Sequence, residues 1–171
     1  MITLRSLLEK TTKGLSYKRN LPTDAGGRPI YVTPAGGLRY LFRSMNNVDP
    51  ALIDLAGEVV QKDDVVWDVG ANVGLFAFTA AHFAQTKGKV FAFEADTWLI
   101  QLLRRSCKIQ QNQVAPVEII PVAIAESCDL RAFNIASRTR SCNYLDGYGQ
   151  SEAGGIAERQ VVMSVNLDWL G

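Results

Sequence analysis

Asp68 closes the apolar run VVWDV, and Gly70, Asn72 and Gly74 follow it at every second position in the stretch VVWDVGANVG. A carboxylate at the mouth of a glycine turn is a seat for a cation. Gly70 lets the backbone turn without a Cβ in the way, and Gly74 lets helix and strand approach closely. Roughly 20 positions on, Glu94 stands at the tip of the next apolar run, KVFAFEA, where a carboxylate can accept two hydrogen bonds from a ribose diol.

Strand, glycine turn, helix and acidic strand tip together form the layout of a nucleoside-binding α/β half, which by itself suits a dinucleotide or S-adenosylmethionine. Asp68 separates the two. A pyrophosphate must sit against this turn and the helix N-terminus, where a carboxylate repels it. The spacing is also Gly-x-Asn-x-Gly, so Asn72 replaces the glycine that would admit the pyrophosphate. A ligand with an ammonium and a sulfonium, as in S-adenosylmethionine, would welcome Asp68 and could use the Asn72 amide.

The elements that must hold these residues follow from periodicity. VVWDV is apolar on both faces, as a central parallel strand covered by helices on both sides would be. LFAFTAAHFAQ reads as a helix stopping at Lys87-Gly88, KVFAFEA as the second strand, and TWLIQLLRRSCKIQQ as a helix. In that helix Leu99, Leu102, Leu103 and Ser106 face inward and Arg104, Arg105 and Lys108 outward. VEIIPVAIA is the third strand, placed at an edge by Pro121, which cannot donate to a ladder. Upstream, DPALIDLAGEVVQKDD predicts a helix with Asp49 as N-cap, Pro50 at its first position, and Leu52, Leu55, Val59 and Val60 on one face. Residues 1 to about 28 read as a lead-in closed by PTDAGGRP, and IYVT and LRYLF, joined by PAGG, as a β-hairpin. Beyond Glu126, DLRAFNIA and RQVVMSVNL read as extended segments around the loop-like DGYGQSEAGG.

The expected architecture is therefore α/β: a Rossmann-like, doubly wound and mainly parallel sheet over 49–171, with an N-terminal β-hairpin extension over 1–48. At 171 residues the chain suits one domain with a sizeable core. Eighteen basic residues nearly balance 17 acidic ones, for a net charge of +1, which gives no electrostatic case for nucleic acid or an anionic membrane. Cys107, Cys128 and Cys142 have neither metal nor disulfide spacing. No run approaches the roughly 20 apolar residues of a membrane span, and the start is not a secretory signal, so a cytoplasmic setting is expected.

VVWDVGANVGLFAFTAA, KVFAFEADTW and VEIIPVAIAES together resemble the FkbM-type family of S-adenosylmethionine-dependent methyltransferases, over roughly residues 50 to 170. That resemblance implies that Asp68, Gly70, Ala71, Asn72 and Gly74 hold the methionine half of the cofactor. It implies Glu94 on the ribose, Ala95 and Trp98 beside the adenosine, Ala123 on the adenine and Glu126 at its exocyclic amine. The family more often has Gly-Asp where this chain has Ala125-Glu126. Similar proteins continue past the VNLDWL element into further strands, so the C-terminal strands of the full fold are expected to be missing, with self-association through the incomplete sheet. The implied reaction is methyl transfer to a hydroxyl of a sugar or other small molecule. The alternatives are a nicotinamide-nucleotide oxidoreductase domain and a non-catalytic remnant acting by association. No residue stands out as general base: His82, the one histidine, reads as structural or surface, Arg138 and Arg140 as a solvated loop, and Trp67 as core packing.

Overall fold

The computed structural model describes residues 14–42, 44–110, 113–149 and 155–170. Its center is a parallel sheet of three strands, β3 (Val65–Val69), β4 (Lys89–Phe93) and β5 (Val117–Ile120), in that spatial order. Trp67 pairs with Phe91 and Phe91 with Glu118. The helices expected between the strands are present: α3 (Leu75–Ala84) follows β3 and α4 (Thr97–Cys107) follows β4. On α4, Leu99, Leu102, Leu103 and Ser106 are buried and Arg104, Arg105 and Lys108 exposed, so the phase of that amphipathic helix matches its sequence pattern.

A second sheet of four strands, β6 (Ala123–Ile124), β7 (Asp129–Ala136), β8 (Tyr144–Leu145) and β9 (Ile156–Val165), is mixed, in the order β6-β9-β7-β8. Its own small core, Phe133, Ile135, Leu145 and Val162, includes Ala95 from beyond β4 and Ala123 of β6. The second sheet therefore sits against the C-terminal end of the first. The expected third strand is split between the two sheets. Pro121 ends β5, the Val122 N–H turns back onto the Ile120 carbonyl at 2.9 Å, and β6 joins the other sheet.

Several expectations need correction. The hairpin lies one strand earlier, pairing β1 (Tyr17–Asn20) with β2 (Pro29–Val32), so ordered structure begins inside the expected lead-in, whose residues 1–13 lie outside the described residues. The PAGG segment is not its turn. The Thr33 hydroxyl accepts the Ala35 N–H at 3.1 Å and Pro34 starts a 3-10 turn, which feeds the short helix α1 (Arg39–Phe42) made from LRYLF.

The face of α2 (Pro50–Val59) is only half as expected: Val60 just past its end is buried and Leu52 packs against the core, but Leu55 and Val59 are exposed and Ile53 and Ala56 are buried instead. The helix is apolar on two overlapping stripes, and Gly57 lets Phe83 of α3 come close; an added Cβ would lie 3.2 Å from that ring. Asp49 precedes α2 without a side-chain cap bond, its carboxylate instead meeting Arg39 at 2.7 Å. Finally, β3 is an edge strand. Val65, Trp67 and Val69 are exposed, so its second face is not covered among the described residues, although Trp67 leans on Phe93 with ring centers 5.5 Å apart.

Gly74 shows how tightly the site is framed from behind. It has φ +87°, and a Cβ there would lie 2.6 Å from Phe78 and 2.7 Å from Leu103. Left-handed strain and overpacking each cost about 1–3 kcal/mol. Gly74→Ala should therefore lower unfolding stability by about 2–4 kcal/mol in urea titrations. A loss below about 1 kcal/mol would show that the α3 and α4 contact gives way easily.

Candidate functional site

The turn after β3 alternates left-handed residues: Gly70 at φ 79°, Asn72 at φ 54° and Gly74 at φ 87°. Asn is among the few residues with a Cβ that visit this region readily. A Cβ on Gly70 would meet nothing within 4 Å, so this glycine is needed for its backbone angle and faces open space. The turn is tied to the tip of β4. The Gly70 and Ala71 N–H groups both donate to the Phe93 carbonyl at 2.9 Å, and the Asn72 N–H donates to Glu94 Oε2 at 2.7 Å.

Of the buried side-chain oxygens among the described residues, two have no hydrogen-bond partner, Asp68 Oδ2 and Asn72 Oδ1. Asp68 stands near the end of β3 and Asn72 in the turn that follows it. Such atoms are costly to leave unmatched in a folded protein, and a bound group that supplies the missing donor is one way to offset that cost. Burial pushes the Asp68 carboxyl from 3.8 up to about 6, against a backbone N–H bond from Ala77 and with help from the nearby Glu94 charge.

Glu94 is more occupied than its sequence position suggests. Its Oε1 accepts the Ala95 and Asp96 N–H groups at 2.9 and 2.8 Å, while Oε2 takes Asn72. Desolvation raises its pKa, opposed by those backbone donors. The side chain is thus a clamp between two strand tips, and Oε2, with two lone pairs and one of these donors, keeps further acceptor capacity.

The next residue but one, Asp96, is fully buried and caps α4, its Oδ1 accepting the Trp98 and Leu99 N–H groups at 2.9 and 3.4 Å. Its Oδ2 accepts Arg140 Nη1 and, at 2.8 Å, Asn143 Nδ2. Arg140 also lies over the Trp98 ring, 5.1 Å from its center. Thr139 donates to the Ala35 carbonyl at 3.1 Å. These bonds strap the segment before β8 across the strand tips. The reading of Arg140 as a solvated loop residue is corrected: its partner is buried.

Two cavities meet at the turn. One, of about 300 Å³, is lined by Gly70, Asn72, Glu94, Ala95 and Ala123 together with Phe133 of β7, Tyr144 of β8 and the flanking Asn143 and Tyr148. The other, of about 360 Å³, is lined by Asp68, Gly70, Ala71 and Asn72 together with Arg39, Tyr40 and Phe76. Each volume is at the small end of ligand sites, which run from roughly 300 to 1,000 Å³. Because Val69, Gly70 and Asn72 line both, one extended ligand could span them.

Seven of the sequence-predicted residues, Asp68, Gly70, Ala71, Asn72, Glu94, Ala95 and Ala123, therefore line the paired cavities. Gly74 packs behind the turn. Trp98 and Glu126 do not line either cavity: Trp98 lies beneath Arg140, and Glu126 is exposed and faces Arg131 at 3.6 Å. His82 meets Phe83 edge-on and lies beside Gly26. Burial pushes the Cys107 thiol up to about 11, which disfavors the thiolate a nucleophile would need. Sequence reasoning missed Asp96, Arg39, Tyr40 and the Asn143 to Tyr148 wall. Only Asp96 carried a local signal, an Asp just before a helical apolar pattern.

No group of three or more metal-ligating side chains occurs among the described residues, and none of their helices is long and apolar enough to cross a membrane. The chain matches no protein-family model, and no curated protein matches it at a significant level.

Proposed function

We propose that the chain is an S-adenosylmethionine-binding methyltransferase domain of Rossmann-like, FkbM-type character, acting on a hydroxyl of a sugar or other small molecule. The observation that carries this reading is the pair of buried acceptors without partners, Asp68 Oδ2 and Asn72 Oδ1, at a glycine turn on a parallel strand tip. A cationic ligand head satisfies both, whereas a pyrophosphate there would meet the Asp68 and Glu94 carboxylates, which disfavors the nicotinamide-nucleotide alternative. Ligands of open α/β sheets bind at this carboxyl end of the strands. Glu94 lines the cleft with acceptor capacity left for a ribose hydroxyl, and Phe93, Ala95 and Ala123 line it as apolar wall for a purine.

When bound, S-adenosylmethionine would supply an activated methyl group: the acceptor oxygen would displace S-adenosylhomocysteine as the S–C bond breaks, with the hydroxyl proton passing to solvent. The residues of this chain bind and orient: Asp68 and Asn72 fix the amino-acid end, the Glu94 clamp fixes the turn, and the strapped β8 segment shields the cleft from water. Positioning of two reactants can contribute about 7–11 kcal/mol toward the barrier. Isothermal calorimetry with S-adenosylhomocysteine and with NAD tests the reading. Binding of the homocysteine nucleoside with no response to NAD is expected; NAD binding alone would reverse the assignment.

A further inference from the structure

Resting on that cofactor reading, we propose that Arg39 is a specificity-determining residue: its guanidinium takes the carboxylate of an α-amino-acid head whose ammonium sits on Asp68 and Asn72. The cleft would then select a nucleoside that carries an amino acid over the nucleoside thioether alone.

Arg39 belongs to α1, in the segment the sequence assigned to an N-terminal extension rather than to the binding domain. The structure brings it to the same 360 Å³ cavity as Asp68 and Asn72. That cavity therefore carries both signs of charge. Its acidic side is unmatched, since Asp68 Oδ2 and Asn72 Oδ1 are buried without partners. Its basic side does not neutralise Asp68: Arg39 Nη1 is bound at 2.7 Å to Asp49, and the side chain remains 42% exposed. A guanidinium has five N–H donors in a rigid fork, so a bond from Nη1 to Asp49 leaves donors for a second carboxylate. A zwitterion complements this arrangement better than a simple amine, which would use only the acidic side. Leu52, Leu55 and Phe76 supply apolar wall for the methylenes between the charged head and the nucleoside.

The test compares two ligands that share the nucleoside thioether, S-adenosylhomocysteine and 5′-methylthioadenosine, by calorimetry on the full chain. The wild type should prefer the former, and Arg39→Met should cut that preference about tenfold, the scale of one lost charge-assisted carboxylate bond. Binding of 5′-methylthioadenosine should stay unchanged, which also reports that the variant folds. Arg39→Lys should restore part of the preference by keeping the charge without the fork. Asp49→Asn should keep the preference. The inference is overturned if Arg39→Met leaves the preference intact, lowers both affinities equally, or is reproduced by Asp49→Asn. If the wild type binds neither ligand, the cofactor reading itself falls.

Discussion

Asp68→Asn should make the ligand-free protein more stable at pH 7.5 while weakening its hold on S-adenosylhomocysteine at least about tenfold, the scale of one charge-assisted hydrogen bond. The two effects have the same origin. Folding raises the Asp68 carboxyl from 3.8 to about 6, chiefly by desolvation. Between those values the folded chain keeps a proton the unfolded chain has lost. Stability therefore falls as the pH rises through the window from about 4 to about 6 and stays at the lower level above it. A shift of that size amounts to roughly 2–3 kcal/mol at neutral pH.

Asn is nearly isosteric, can still accept the Ala77 N–H and carries no charge, so it removes the penalty. Thermal unfolding should place the variant several degrees above the parent at pH 7.5, with the difference shrinking toward pH 4. The same titration makes ligand affinity in the parent decline below about pH 6, because an ammonium needs the ionised carboxylate. A variant with lowered stability and undiminished affinity would remove Asp68 from the binding site. A residue kept at a cost to stability is what a binding function demands.

Glu94 stands in contrast. Both carboxylates sit at strand tips, and sequence position alone predicts little loss of fold when either is replaced by Ala. The structure separates them. Asp68 has an oxygen without a partner, whereas Glu94 accepts three backbone N–H groups and holds the turn to β4. The order of strands and helices from Val65 to Ile120 was legible, because each element has a local pattern: continuous apolar runs, left-handed glycines, an amphipathic α4. What depends on contacts between distant segments was not. Residue 72 meeting residue 94, residue 35 meeting residue 139, and Gly57 meeting Phe83 leave no periodic trace. The β3 run illustrates the same limit: its double-sided hydrophobicity suggests a covered central strand, yet Val65, Trp67 and Val69 are exposed at an edge. Arg39 lay in a stretch read as a strand, and it reached the cavity because Thr33 and Pro34 turn the chain into a helix instead.

Arg140→Ala should destabilise the fold by about 3 kcal/mol, the usual cost of removing one partner from a buried ion pair. Asp96 has no solvent exposure, so without Arg140 its charge is left with the α4 backbone and Asn143 alone. The guanidinium also loses its place over Trp98. A conservative exchange tests the cause. Asp96→Asn combined with Arg140→Met removes both charges, retains a cap for α4 and refills the space above the indole, so it should recover much of the loss. A pair whose single deletions are costly and whose joint replacement is mild is held by charge rather than by volume. The same contact positions Ser141, Asn143 and Tyr144 along the smaller cavity, and Tyr148 follows them. Hydrogen exchange in Arg140→Ala should therefore rise first in residues 140–148, and nucleoside affinity should fall with it while the three-stranded sheet keeps its protection. Urea titrations that place Arg140→Ala within about 0.5 kcal/mol of the parent would mean that the strap is a surface contact, and the cleft would then need another wall.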